Sequence, residues 1–182
     1  FSKKHEIKIG TIADLIEYRS KKEKLIKRIS EEKVNTEFGM MKLIVYSDLL
    51  SKNTHLAFVK GEIEKDDEVV VRVHEPLSIL DFVSKETPHS WPPLKALKKI
   101  SNEKNGVVIF LNYNESQNNI TSKLNHENVT LKKSTDLRSY GIGSQILVDI
   151  GVSKMKLLAA PRKMPSMAGY GLQVTEFIEN DT

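Results

Sequence analysis

The chain has 182 residues, 39% of them hydrophobic and 29% charged, with a net charge of +4. That is the profile of one soluble globular domain, able to bury a single core without staples. It contains no cysteine, which excludes disulfides, thiolate nucleophiles and Cys-ligated zinc. No apolar run approaches the ~20 residues of a membrane span.

The opening Phe1-Ser-Lys-Lys-His5 lacks an initiator Met and a signal segment, and reads as a cytoplasmic fragment of a longer chain. Thr11 is placed to cap a helix beginning at Ile12, with Asp14 in its first turn and Ile12, Leu15 and Ile16 on one stripe. The basic cluster Lys21, Lys22, Lys24, Lys27 and Arg28 is interleaved with Glu17, Glu23, Glu31 and Glu32. It reads as a solvated face before it reads as a nucleic-acid surface.

Residues 25–36 alternate well enough for a strand or a connector. From Met40 the period approaches two, and Leu43 to Val45, Leu56 to Val59 and Val69 to Val73 predict successive strands of an antiparallel meander. Turns fall at Lys52-Asn53 and at Lys65 to Asp67. Pro92-Pro93 opens a helix with Leu94, Leu97 and Ile100 on one face, ended by Asn105-Gly106. Val107 to Leu111 is a buried strand, Asn112 to Asn128 a polar loop, and Asp136 to Val148 a helix. Met155 to Leu158 and Leu172 to Ile178 close the chain as strands. The expected fold is a mixed α/β domain with helices over one face of the sheet.

The C-terminal third carries a set of motifs: Asp136-Leu-Arg138-Ser-Tyr140, Met155-Lys-Leu-Leu158, Pro161-Arg-Lys163 and Gly169-Tyr-Gly-Leu172. With His55-Leu-Ala-Phe-Val-Lys-Gly-Glu-Ile63 and Arg72-Val-His74 upstream, in the same order, they closely resemble the GTP cyclohydrolase II family. Residues 1–19 are similar instead to the end of a 3,4-dihydroxy-2-butanone 4-phosphate synthase where that enzyme is fused to GTP cyclohydrolase II. The resemblance implies a lead-in over residues 1–36, a GTP cyclohydrolase II-like domain over 37–182, a homodimer, and a fused upstream synthase as partner. Membrane and nucleic acid are not expected partners.

The resembled family opens the imidazole ring of GTP, releasing formate and pyrophosphate, with a three-cysteine zinc and with Mg²⁺ beside the triphosphate. The three thiolate positions fall here on Leu77, Pro88 and Ser90, so no zinc is expected, and Mg²⁺ only with a bound nucleotide. His74 and His89, with Asp81 and Glu86 between them, are the remaining donors. They read as a retained motif residue and a loop residue, with a substitute metal site as the alternative. The family's Glu-Gly-Arg-Gly-Ile-Gly phosphate loop is replaced by Glu115-Ser-Gln-Asn-Asn-Ile120, which has lost glycine and arginine.

Several family positions survive. Asp136 and Arg138 correspond to a general base and a catalytic arginine. Arg72, His74, Glu115 and Lys163 correspond to nucleotide contacts. Without a metal-bound water the base has nothing to activate, so Asp136 is also read as a helix cap and Arg138 as a structural ion pair. The expectation is a riboflavin-biosynthesis domain that has lost GTP ring opening and serves a structural or regulatory role for the fused synthase. The alternatives are an active hydrolase of altered chemistry on GTP or another nucleotide, and a basic RNA- or nucleotide-binding module.

Overall fold

The computed structural model describes residues 2–75, 77–83, 90–113, 120–121, 134–164 and 167–180. Its centre is one seven-stranded mixed sheet in the order β1-β2-β3-β5-β4-β6-β7. The strands are β1 (Ile26–Thr36), β2 (Gly39–Asp48), β3 (Thr54–Lys60), β4 (Glu68–His74), β5 (Gly106–Phe110), β6 (Lys154–Leu158) and β7 (Gln173–Ile178). The helices set out among the described residues are α1 (Ser2–His5), α2 (Ile12–Lys22), α3 (Leu80–Val83), α4 (Pro93–Ser101) and α5 (Ser134–Ile150). A 3-10 turn spans Met167–Tyr170.

The helix expected at Ile12 forms with a complete capping box. Thr11 Oγ1 accepts from the Asp14 amide at 3.0 Å, and Asp14 Oδ2 accepts from the Thr11 amide at 2.9 Å. Residues 25–36 resolve as strand: β1 pairs with β2 along its length, with an irregularity between Arg28 and Ser30. The turn positions before β3 and β4 carry Lys52 and Asp66 at positive φ, 61° and 71°.

Of the expected meander β2-β3-β4 only the β2–β3 pairing holds, with β1 added antiparallel on the other side of β2. β5 lies beside β3, antiparallel to it, and β4 runs parallel to both β5 and β6. The reason is visible in the residues. Val69-Val70-Val71 is buried on both sides, as central parallel strands require, whereas β2 and β3 alternate.

Helices on one face only is the second expectation that the structure corrects. β4 connects through α4 to β5 on one side, and β5 connects through α5 to β6 on the other. Parallel crossovers are right-handed, so two crossovers in opposite directions place their helices on opposite faces. One face packs Ile142, Ile146 and Leu147 of α5 on Ile44, Ala57, Val71, Val107 and Ile109. The other packs Ala96, Leu97 and Ile100 of α4, with Trp91, on Val70, Val108 and Phe110. Each fully buried Val, Ile, Leu or Phe among them contributes about 1.5–3 kcal/mol. α4 ends at Ser101, earlier than Asn105-Gly106, and Gly106 opens β5. A Cβ on Gly106 would lie 2.6 Å from Ile100 Cβ, so glycine there lets α4 lie close on the sheet.

Candidate functional site

In open α/β sheets ligands bind beyond the carboxyl ends of adjacent strands whose connections leave to opposite faces. Here those strands are β4 and β5, ending at His74 and Phe110. The two chains stay joined past the strands, since the Leu111 amide donates to His74 O and the Leu77 amide to Leu111 O, both at 3.0 Å. The family positions are divided between the two faces of the sheet at this end, which form the two walls of the crevice.

On the α4 side stand Arg72 and His74. His74 is fully buried, its Nε2 lies 2.9 Å from Asp81 Oδ2, and its ring meets Phe110 edge-on at 6.0 Å. Asp81 Oδ2 also accepts from the Ser78 amide at 2.8 Å, which fixes the start of α3 against β4. Arg72 is 7% exposed. Its Nη1 donates to Leu158 O at 2.8 Å, and its Nε has no hydrogen-bond partner among the described residues. Burial, and then the charge of Arg162, pull its pKa down to about 10, against a smaller upward pull from Asp81. It stays cationic at neutral pH, the type of group that an anion would satisfy.

On the α5 side stands Arg138. Its Nη2 donates to Asp48 Oδ1 at 2.5 Å, and the Asp48 side chain has no solvent exposure. Asp48 also accepts from the Leu50 amide at 2.7 Å, the Ser51 amide at 3.2 Å and Ser51 Oγ at 2.7 Å. Burial alone would raise its pKa. The bonds from Arg138, Ser51 and the two amides outweigh that and hold it well below the carboxylate range.

Next to this pair lies a second polar layer. His55 is fully buried, with neither ring nitrogen hydrogen-bonded among the described residues, and meets Tyr113 edge-on at 5.4 Å. Burial lowers its pKa first; Asp48 raises it and Arg138 lowers it again. Tyr113 Oη donates to Ser139 Oγ at 2.9 Å, and burial lifts its pKa to about 12.

Asp136 is the third residue of α5, inside its first turn rather than at the cap before it. Lys163 is exposed, and the neighbouring Arg162 guanidinium sits over the Tyr140 ring at 5.5 Å. Glu115, Pro88, His89 and Glu86 lie outside the described residues. Of the former thiolate positions, Leu77 packs into the apolar cluster around Trp91 and Phe110, and Ser90 is exposed. Among the described residues the donors do not fit zinc: Leu77 is a partly buried side chain packed against the apolar cluster, and His74 and Asp81 are bonded to each other. No group of three His, Asp or Glu among the described residues is placed to hold a metal ion.

Sequence reasoning missed Asp48, Tyr113 and Ser139, and assigned His55 no role. One signal was available for Asp48. An aspartate followed by Leu-Leu-Ser51 ahead of Lys52-Asn53 is the pattern of a side chain capping its own turn.

A mixed sheet with the switch point between β4 and β5, and with Arg72-Val-His74 on one wall and Asp136-Leu-Arg138 on the other, defines the class. The chain belongs to the GTP cyclohydrolase II family, whose model matches residues 27–179. It is 42% identical, over 98% of its own length and 49% of the other's, to a 3,4-dihydroxy-2-butanone 4-phosphate synthase of Neisseria meningitidis serogroup B. It is 37% identical to riboflavin biosynthesis protein RibBA of Aquifex aeolicus, over 97% of this chain and 47% of that one. A crystal structure of RibBX, a two domain 3,4-dihydroxy-2-butanone 4-phosphate synthase from A. baumannii, superposes with a TM-score of 0.65 at 32% identity. The match covers 99% of this chain and 48% of that one. The chain thus spans about half the length of the relatives it matches. Among the described residues, no helix is long and apolar enough to cross a membrane.

Proposed function

We propose that this riboflavin-biosynthesis domain of the GTP cyclohydrolase II family no longer opens GTP, and that it acts as a structural or regulatory unit for a synthase half of the kind named in its relatives. The observation that carries the reading is the Asp48–Arg138 pair. The arginine at the family's catalytic position spends its guanidinium on a buried carboxylate, which in turn ties down the β2–β3 turn. Held in that way, Arg138 braces α5 against β2 through one of its N–H groups. Leu77, partly buried against the apolar cluster at the position where the family has a thiolate, supports the same reading.

Arg72 favours a second, narrower reading, in which the α4-side wall still holds an anion. It is a buried cation without a carboxylate bonded to it among the described residues, and Arg162 is close enough to depress its pKa. Weak phosphate binding without ring opening is compatible with the first reading.

The test is purified protein with GTP and Mg²⁺, with and without added zinc, followed for formate. No formate above background is expected in either case. Formate release abolished by Asp136→Asn or Arg138→Ala would make this an active hydrolase.

A further inference from the structure

His55 is fully buried, and neither ring nitrogen has a hydrogen-bond partner among the described residues. A buried polar ring with two open nitrogens is costly to keep, and its surroundings give it a use. β2 and β3 pair antiparallel with Tyr46 opposite His55, and burial alternates along both strands. Tyr46, Asp48 and His55 therefore share the face that α5 covers, and Asp48 is the diagonal neighbour of His55 across the pair.

The polar groups that face the ring come from three places. β2 supplies Tyr46 and the Asp48 carboxylate, α5 supplies Arg138, and the chain past β5 supplies Tyr113, which meets the ring edge-on. Tyr46 Oη donates to Asp149 Oδ2 at 2.7 Å and Tyr113 Oη to Ser139 Oγ, and burial above all keeps both phenols neutral. The charges that act on His55 are thus one carboxylate and one guanidinium, already bonded to each other.

Those two partners are not equal. Asp48 has no solvent exposure and is tied to the amides of Leu50 and Ser51, so it stays where it is. Its Oδ2 accepts from Ser51 Oγ at 2.7 Å and keeps a lone pair for a second donor. Arg138 retains 35% of its side-chain surface and can turn to water.

We propose that His55 is an acid-operated competitor for Asp48: the protonated ring donates to the buried carboxylate, Arg138 lets go, and α5 is unfastened from β2. One proton passes from solvent to a ring nitrogen, while Asp48 stays ionised and Arg138 stays protonated. Two cations on one buried carboxylate repel each other, and the exposed one yields. Burial holds the ring neutral at ordinary pH, so release begins below the usual histidine value of about 6.5. The inference rests on the brace described above, but not on whether GTP is opened.

The test follows the His55 ring by NMR from pH 7.5 to 5.0, with His55→Gln assigning the signal. Linkage is reciprocal, so removing the competing cation in Arg138→Ala should raise the midpoint of the His55 titration by about 0.5 or more. Arg138→Gln should do the same, and serves if the alanine variant does not fold. In urea, the midpoint lost to Arg138→Ala at pH 7.5 should shrink by half or more at pH 5.0. In a His55→Gln background that loss should be equal at both pH values. A His55 midpoint that neither variant moves would overturn the inference, as would an Arg138→Ala loss that acid leaves unchanged. Neither measurement uses the formate assay, so the two readings can fall separately.

Discussion

Arg138 Nη2 lies 2.5 Å from Asp48 Oδ1, joining the first turns of α5 to the end of β2 across ninety residues of sequence. The carboxylate is fully buried while the arginine side chain keeps 35% of its surface, so the aspartate is the dependent partner. Losing Arg138 strands a buried charge with three local donors. Losing Asp48 frees a guanidinium that water can reach, but unties the turn at Leu50 and Ser51.

Both single changes are therefore expected to destabilise. Asp48→Ala should cost about 3 kcal/mol, from the stranded turn amides and the lost charged bond. Arg138→Ala should cost about 2 kcal/mol, discounted for its exposure. The double variant should cost clearly less than their sum, a coupling of 1 kcal/mol or more measured by urea unfolding. Additive losses would mean that the pair contributes nothing as a pair.

His55 makes stability fall with acid in a defined window. Its folded pKa is lowered, first by burial, so the unfolded chain takes up the proton more readily. The stability contribution is complete above the ordinary histidine value of about 6.5 and is lost as pH falls from there towards the folded value. Asp48 is also depressed, but its contribution is lost only as pH falls below the ordinary carboxylate value of about 3.9. Denaturant melts at pH 7.5, 6.0 and 5.0 should show a loss that His55→Gln reduces. An unchanged slope in the variant would assign the loss to other histidines.

Most of the elements were legible because they rest on local signals. Thr11 with Asp14, Pro92-Pro93 and the apolar run from Val107 announce two helices and a central strand without tertiary help. Strand order was not legible. Val69 to Val73 reads the same whether its neighbour is β3 or β5, and only the long connections through α4 and α5 decide. The site was legible where a motif carries it, as at Arg72, His74 and Arg138. What those residues touch was not, because Asp48, Leu158 and Asp81 reach them from other elements.

Zinc should be far below one per chain in protein purified without chelator. Leu77 and Ser90 offer no thiolate, and His74 is already bonded to Asp81. Elemental analysis checks this directly. Near-equimolar zinc that disappears in a His74→Ala, His89→Ala double variant would reinstate a metal site built from histidines.

Arg72 tests what remains of anion binding. Inorganic phosphate should raise the melting temperature by a few degrees at millimolar concentration, through linkage to the folded state. Arg72→Met should abolish that rise. Its own stability should change little, since the variant removes a poorly paired buried charge and strands only the carbonyl of Leu158. Unaltered phosphate stabilisation in Arg72→Met would place the anion elsewhere.

The proposed structural role is tested in a longer polypeptide that joins this domain to a synthase half of the kind named in its relatives, by removing the domain. The cut belongs before Ile26, because β1 pairs with β2 from Ile26 to Thr36 and a later cut would leave an orphan strand behind. The residues that pack the two faces are apolar, from Ile44 and Val71 to Ile100 and Phe110. The changes relative to the family gather instead at Leu77, at Ser90 and at the loop after β5. On the proposed reading, a domain with that core and without the family's thiolates acts through its shape. Truncation should therefore lower the synthase half's melting temperature by several degrees, or alter its turnover or its oligomeric state by size-exclusion chromatography. If all three stay as they were, the domain does nothing for its neighbour, and its partner must be sought among ligands of the Arg72 wall.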